Sequence, residues 1–257
     1  MAHRWDPDRY LTYADERGRP FVELIARIRA EPRTVVDLGC GPGNLTALLA
    51  ERWPQAQVRG LDSSPEMIAS ARRDVPAIDF EVADLRAWLA RGEHADVIVS
   101  NATLQWLPDH LELLPALSAA AGEWLAFQVP GNFGEQSHVI VSELAAEPAY
   151  AEHTRDAAVP SSREPVEYLE ALTDLGWEVD AWETTYLHVL EGDEDAVFTW
   201  VSGTGAQPTL QALPGGLRAD FEAELKRRLR EAYPSRDGRV VLPFRRIFVV
   251  TQGRALR

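Results

Sequence analysis

Residues 35–46 read VVDLGCGPGNLT, and this stretch decides the fold. A short apolar run, Thr34-Val35-Val36, ends in an acid, Asp37. Three alternating glycines follow at Gly39, Gly41 and Gly43, and Asn44 then opens Leu45-Thr46-Ala47-Leu48-Leu49-Ala50, which reads as a helix. Strand, tight glycine turn and helix in this order are how a doubly wound α/β domain holds a nucleoside-like cofactor at the carboxyl end of its first strand.

The rhythm continues outward from that stretch. Gln57–Asp62 predicts a second strand, also closed by an acid, and Ser63-Ser64-Pro65-Glu66 starts a helix with Ser64 as N-cap and Pro65 at the first helical position. Ile78–Val82, Ala95–Ser100 and Glu123–Val129 predict strands three to five, with a helix over Leu111–Ala121 before the fifth. In the second half the pattern changes. Helices are expected at Ser137–Ala146, Val166–Leu175 (with Gly176 just past its end), Asp193–Val201 and Leu217–Tyr233, a loop over 147–165, and two last strands at 177–190 and 244–252. The expected fold is therefore a doubly wound, Rossmann-like α/β domain: a seven-stranded, mostly parallel sheet with an antiparallel edge strand, plus a helical cap. One domain over 1–257 is expected, with an N-terminal helical lid at 1–30 interrupted at Arg19-Pro20, a cofactor-binding core at 31–130, and cap elements at 131–165 and 191–240.

Bulk properties narrow the function. The formal net charge is −14, so the mean field repels polyanions: nucleic acid is not an expected partner, and a small anionic substrate needs arginines at its pocket. Cys40 is the only cysteine, the N-terminus MAHRWDPDRYL lacks the apolar core of a signal peptide, and no run is long enough to span a bilayer. A cytoplasmic setting without membrane partners is the expectation. No metal site is expected.

The glycine loop departs from the dinucleotide pattern G-x-G-x-x-G/A, because its third glycine comes one residue early and Asn44 follows. Asp37 is also ill suited to a pyrophosphate and well suited to an ammonium group. The motif resembles the first motif of class I S-adenosylmethionine-dependent methyltransferases. That resemblance implies a cofactor with an amino-acid head, a sulfonium, a ribose and an adenine. It places the Gly39–Gly43 loop, Cys40 and Gly41 included, against the methionyl part, Asp62 on the ribose hydroxyls, and Asp84 with Leu85 at the adenine. Ser63 and Met67 then flank the adenosine, and Asn101 continues the series after the fourth strand. A carboxylate offers two acceptor oxygens to a vicinal diol, which is why one acid suffices at the ribose.

The methyl acceptor is read from SNATLQWLP, residues 100–108, where Gln105 can hydrogen-bond a substrate and Trp106 can wall its pocket. With Pro108-Asp109-His110 this run is similar to two carboxyl O-methylating families, the trans-aconitate 2-methyltransferases and the malonyl-acyl-carrier O-methyltransferases. The first resemblance extends along nearly the whole chain, through Trp5-Asp6-Pro7, Tyr10-Leu11, Glu16-Arg17, Arg19-Pro20, Thr184-Thr185-Tyr186, His188, Trp200-Val201 and Thr204-Gly205, and is weakest in 147–165. It implies esterification of one carboxylate of a small unsaturated tricarboxylic acid; a monomer or weak homodimer is the expected assembly. No catalytic base is needed, since a carboxylate is ionised at pH 7 and is itself the nucleophile. Forked cationic donors must then hold the remaining carboxylates. The candidates are Arg17 beside Tyr13, and Arg245 or Arg246, which as strand neighbours face opposite sides. Arg163 is a weaker one. Gln128 and Tyr186, on the fifth and sixth strands, complete the substrate set, and His110 and His188 read as structural. A carrier-protein substrate, a non-enzymatic S-adenosylmethionine-binding protein and a nicotinamide oxidoreductase are the alternatives, the last disfavoured by Asn44 and Asp37.

Overall fold

The computed structural model describes residues 14–191 and 194–253, with side chains from residue 18 onward. Tyr13 and the side chain of Arg17 lie outside the described residues. Two compact units are present. One comprises the chain to Val129, Ser162–Thr184 and the chain from Arg246; the other comprises Pro130–Ser161 and Thr185–Arg245.

The first unit is built on the sheet. Strands β1 (Thr34–Leu38), β2 (Gln57–Asp62), β3 (Asp79–Val82), β4 (Ala95–Asn101), β5 (Ala121–Pro130), β6 (Glu178–Glu191) and β7 (Arg239–Gln252) lie in the order β3-β2-β1-β4-β5-β7-β6. Pairings among the first five are parallel. Their registers set Asp37 opposite both Gly60 and Val99, Asp62 opposite Val82, and Asn101 opposite Gln128, which aligns the carboxyl ends along one edge. β7 runs against β5: Gly253 N donates to Glu123 O at 2.7 Å, and Leu125 N donates to Thr251 Oγ1 at 3.3 Å, so numbers fall on one strand as they rise on the other. The expected mixed sheet is therefore present, with its antiparallel strands at one edge.

Helices α1 (Ala14–Ala26), α2 (Asn44–Arg52), α3 (Pro65–Asp74), α4 (Leu85–Ala90), α5 (His110–Ala120) and α8 (Pro165–Asp174) belong to this unit. Local chemistry fixes their ends as read: Ser64 Oγ accepts from Met67 N at 3.2 Å with Pro65 at the first position, and Gly176 takes φ 91° just after α8. The break expected at Arg19-Pro20 is absent. α1 continues through Pro20, which is buried, so the missing amide bond is tolerated in exchange for packing. The apolar strand faces and helix stripes meet in a core that includes Val36, Leu38, Trp88, Ile98, Phe127 and Tyr168.

The second unit contains α6 (Gln136–Ala145), α7 (Ala151–Thr154), α9 (Ala196–Ser202), α10 (Gln207–Ala212) and α11 (Gly215–Ala232). α7 falls in 147–165, where a loop was expected, and α10 falls in 203–216, between two expected helices. Both are short, and Pro208 opening α10 hid it among breakers. Tyr186, His188, Trp200 and Phe244 form an aromatic cluster, with Trp200 edge-on to Phe244 at 5.2 Å and His188 4.9 Å from both rings. Small side chains (Ala145, Ala146, Ala151, Ala206) leave a cleft of about 440 Å³ in this unit. No helix among the described residues is long and apolar enough to cross a membrane.

Candidate active site

A cleft opens at the carboxyl ends of β1 to β4, in the first unit. Gly39, Gly41, Asp62, Ser63, Met67, Asp84, Leu85 and Asn101 line it, and so does Trp106. Eight residues expected at a cofactor are thus brought to one concavity.

The glycines are there for different reasons. Gly39 has φ 79°, and a Cβ on it would fall 2.0 Å from Thr103 Oγ1. The β4 loop packs directly on the backbone there, and Thr103 Oγ1 donates to Gly39 O at 3.3 Å. Gly41 has open space where its Cβ would be and faces the cleft; its N–H donates to Asp62 Oδ2 at 2.9 Å. Gly43 is a packing glycine: a Cβ would meet Phe80 at 2.7 Å and Ala71 at 2.9 Å, and it does not line the cleft. Cys40 also turns away. Its sulfur packs with Ile68, Ala71 and Phe80, and burial first, then the charges of Asp37 and Asp62, push its thiol up. Any ligand contact at Cys40 is left to its backbone.

The acids carry the electrostatics. Asp37 is 2% exposed. Its Oδ2 accepts from Thr46 Oγ1 at 2.7 Å, while Oδ1 has no hydrogen-bond partner among the described residues. Burial pushes its carboxyl up to about 7; the Thr46 hydroxyl pulls it back, and the charge of Asp62 adds to the rise. Asp62 binds its own loop, Oδ1 accepting from Ser64 N at 2.8 Å and Oδ2 from Gly41 N. Burial raises its pKa, and the backbone N–H groups of Ser64, Gly41 and Ser63 oppose the rise. Asp84 gives Oδ1 to the start of α4, accepting from Arg86 N at 2.9 Å and Ala87 N at 3.2 Å, which leaves its second oxygen for the cleft.

Behind the wall runs a chain of polar side chains. Arg246 Nη1 donates to Gln128 Oε1 at 3.5 Å, and Gln128 Nε2 donates to Asn101 Oδ1 at 2.6 Å. A second network holds the segment after Trp106. His110 Nδ1 lies 2.8 Å from Leu107 O, which can only accept, so Nδ1 carries the proton and Nε2 accepts from Tyr168 Oη at 2.7 Å. Tyr168 Oη in turn accepts from Arg163 N at 3.0 Å. Burial lowers the His110 pKa and raises that of Tyr168 to about 12, so both stay neutral in this network.

Comparison with known proteins places this architecture. The methyltransferase-domain family matches residues 35–121. A trans-aconitate 2-methyltransferase of Streptomyces avermitilis is 48% identical over 264 residues, covering 98% of this chain and 97% of that protein. The chain belongs to the trans-aconitate 2-methyltransferase family. Another protein of that name, from Mycolicibacterium gilvum, is 49% identical over 96% of this chain and 98% of its own. In fold alone, the crystal structure of the YcgJ protein of Bacillus subtilis is similar, with a TM-score of 0.58 at 13% identity over 95% of this chain and 100% of that one.

For a trans-aconitate 2-methyltransferase family member, the residues expected at the acceptor fall in several places. Trp106 lines the cleft. Gln105 is buried, and its Nε2 donates to Ala102 O at 2.6 Å, closing the turn that carries Trp106. Gln128 and Arg246 are joined through the chain to Asn101. Tyr186 and Arg245 belong to the second unit: Tyr186 is buried in the aromatic cluster, and Arg245 Nη1 donates to Gly131 O at 3.2 Å. Ala102, Thr103 and Leu107 also line the cleft without having been singled out. The signal for Thr103 was its position one turn from Trp106, on the loop that must cover Gly39.

Proposed function

We propose that this chain transfers a methyl group from S-adenosylmethionine to one carboxylate of trans-aconitate or a closely related small tricarboxylic acid. The observation that carries the cofactor is the set of acids at or just past the ends of three successive strands: Asp62 and Asp84 line the cleft, and Asp37 is buried at the end of β1 without lining it. The names of the full-length relatives support the acceptor. The residues fit this cofactor: Asp37 Oδ1 is buried with no donor among the described residues, as an ammonium-binding carboxylate awaiting its ligand is, and Gly41 leaves room for close approach. When bound, S-adenosylmethionine supplies an electrophilic methyl on its sulfonium.

The protein's part is positioning and exclusion of water. Asp62 fixes the glycine loop through Gly41 N and keeps lone pairs for a diol. Met67, Leu85 and Leu107 give apolar walls, and Trp106 closes the acceptor side. The acid arrives ionised, so no side chain has to take its proton. The same reading gives a cytosolic setting and a small-molecule acid as the partner. Incubation with methyl-labelled S-adenosylmethionine and a panel of acids tests it: a base-labile methyl ester on trans-aconitate is expected. Labelling of malonyl-carrier protein alone, or cofactor binding with no turnover on any acid, points to the rival readings.

Asp37 gives this proposal a pH signature. Its folded pKa is raised, so the free protein loses stability as pH rises from the ordinary aspartate range to about 7, and no further above that. A ligand ammonium favours the ionised carboxylate. Affinity for S-adenosylhomocysteine is therefore expected to climb roughly tenfold per pH unit up to neutrality and then level off. Calorimetric titrations from acid to mildly alkaline pH check this, and Asp37→Asn is expected to flatten the slope.

A further inference from the structure

We propose that Arg246 is a positioning residue that sets the hydrogen-bond polarity of the cleft wall at Asn101, so that the wall offers a donor to a carboxylate oxygen of the methyl acceptor. The inference rests on the functional reading above and goes beyond it.

The geometry begins with the sheet. Asn101 and Gln128 are register partners on β4 and β5, so their side chains emerge side by side on one face. β7 is the next strand after β5 and brings Arg246 to Gln128. Gln128 is 1% and Arg246 8% exposed, whereas Asn101 is half-buried on the cleft wall. The chain therefore leads from the interior to the cleft.

Its direction is fixed at the buried end. A guanidinium has donors and no acceptor, so the amide end of Gln128 that faces Arg246 is the carbonyl. The other end, Nε2, then faces Asn101 and can bond only its Oδ1. With its carbonyl occupied, Asn101 has Nδ2 left for the cleft, and no hydrogen bond from that nitrogen occurs among the described residues. Two amides that could each be turned either way are locked in one sense by a group that cannot accept.

The strand order says which ligand meets that donor. Asp62, Met67, Asp84 and Leu85 come from the ends of β2 and β3, on one side of β1. Asn101 comes from β4, on the other side, at the point where the strand order reverses. The β2–β3 side suits an adenosine, and the β4 side is left to the acceptor. An ionised acid there needs a donor; a carbonyl oxygen in the same place would repel it. The relay also brings the influence of a buried cation to the cleft of a chain whose overall charge is −14, without exposing that cation.

Gln128→Glu is the decisive variant. Glutamate still pairs with Arg246 but has no proton for Asn101, so Asn101 turns Nδ2 toward residue 128 and its oxygen toward the cleft. Asn101→Asp places an acceptor there directly, at a half-buried position that tolerates it. For both, KM for trans-aconitate is expected to rise about ten- to a hundredfold, and for Gln128→Glu, which changes a residue behind the cleft wall, affinity for S-adenosylhomocysteine stays within about threefold of the parent. Arg246→Lys, which keeps a donor, is expected to retain more acid affinity than Arg246→Met, a difference that loss of packing does not produce. Melting temperatures and cofactor titrations show that each variant is folded. The proposal is overturned if both acceptor variants keep the parent KM, or if in Gln128→Glu cofactor affinity falls in step with acid affinity. Binding of trans-aconitate to the protein saturated with S-adenosylhomocysteine gives a readout without turnover. A parent that binds the acid but does not methylate it refutes the functional reading and leaves the relay to be judged on those binding constants; a parent that does neither refutes both.

Discussion

Asp62→Ala is expected to lower affinity for S-adenosylhomocysteine at least about a hundredfold, since charge-assisted hydrogen bonds are worth about 1.5–3 kcal/mol each and more than one is lost. The carboxylate does two jobs at once. It lines the cleft wall, where the proposed function gives it the ribose hydroxyls, and it ties Gly41 N and Ser64 N into the shape that makes the wall. Removing it leaves two backbone donors without their acceptor and frees the glycine loop. Asp62→Asn keeps one acceptor oxygen and should fall between the two. Isothermal titration alongside thermal melting separates the effects: a melting temperature close to the parent's with binding lost places the deficit in the ligand contacts. Near-parental binding by Asp62→Ala would remove this residue from the site.

Gly39→Ala is the second large effect, and it acts through shape. The new Cβ would sit 2.0 Å from Thr103 Oγ1 and 2.4 Å from its Cγ2, on a residue with φ 79°. The left-handed backbone costs about 1–2 kcal/mol for any residue but glycine. Displacing the β4 loop adds about 1–3 kcal/mol of overpacking. The total is a large share of the stability of a domain this size, and the displaced loop carries Trp106, so cofactor and acid binding should go together. The double variant Gly39→Ala, Thr103→Gly should recover the clash component and leave the backbone component, which a denaturation cycle measures directly. A fully additive cycle would mean that the two residues do not press on each other.

Much of this was legible before any coordinates. The glycine loop and the acids ending successive strands are local signals: each needs only its own strand end to be recognisable, and parallel pairing then brings the ends together. Ser64, Pro65 and Gly176 announced their helix boundaries by the chemistry of caps. What escaped depended on contacts remote in sequence. Pro20 reads as a helix breaker until its burial is seen. Nothing near Gln105 indicates that its amide NH2 is taken by Ala102 O, and nothing near Gln128 indicates that an arginine more than a hundred residues later decides which way it points. The two adjacent arginines of β7 were recognised as facing different ways, but only the fold assigns Arg246 to the first unit and Arg245 to the second.

Gly43 and Gly60 are empty of side chain because Phe80 fills the space beside both: a Cβ on either would lie 2.7 Å or less from that ring, and the Cys40 sulfur is 3.0 Å from the second. The third glycine of the signature is thus held by an aromatic ring on β3, two strands away in the sheet. Inheritance will tie these positions together, since residue 60 can gain a methyl only if residue 80 shrinks, and residue 43 only if Phe80 and Ala71 both give way on a left-handed backbone. A descendant that abandoned methyl transfer would feel the same pressure to keep this part of the loop. The glycine signature can therefore outlive the activity it announces, and under the proposed function the acids at 37, 62 and 84 are the positions where such a loss would first be written.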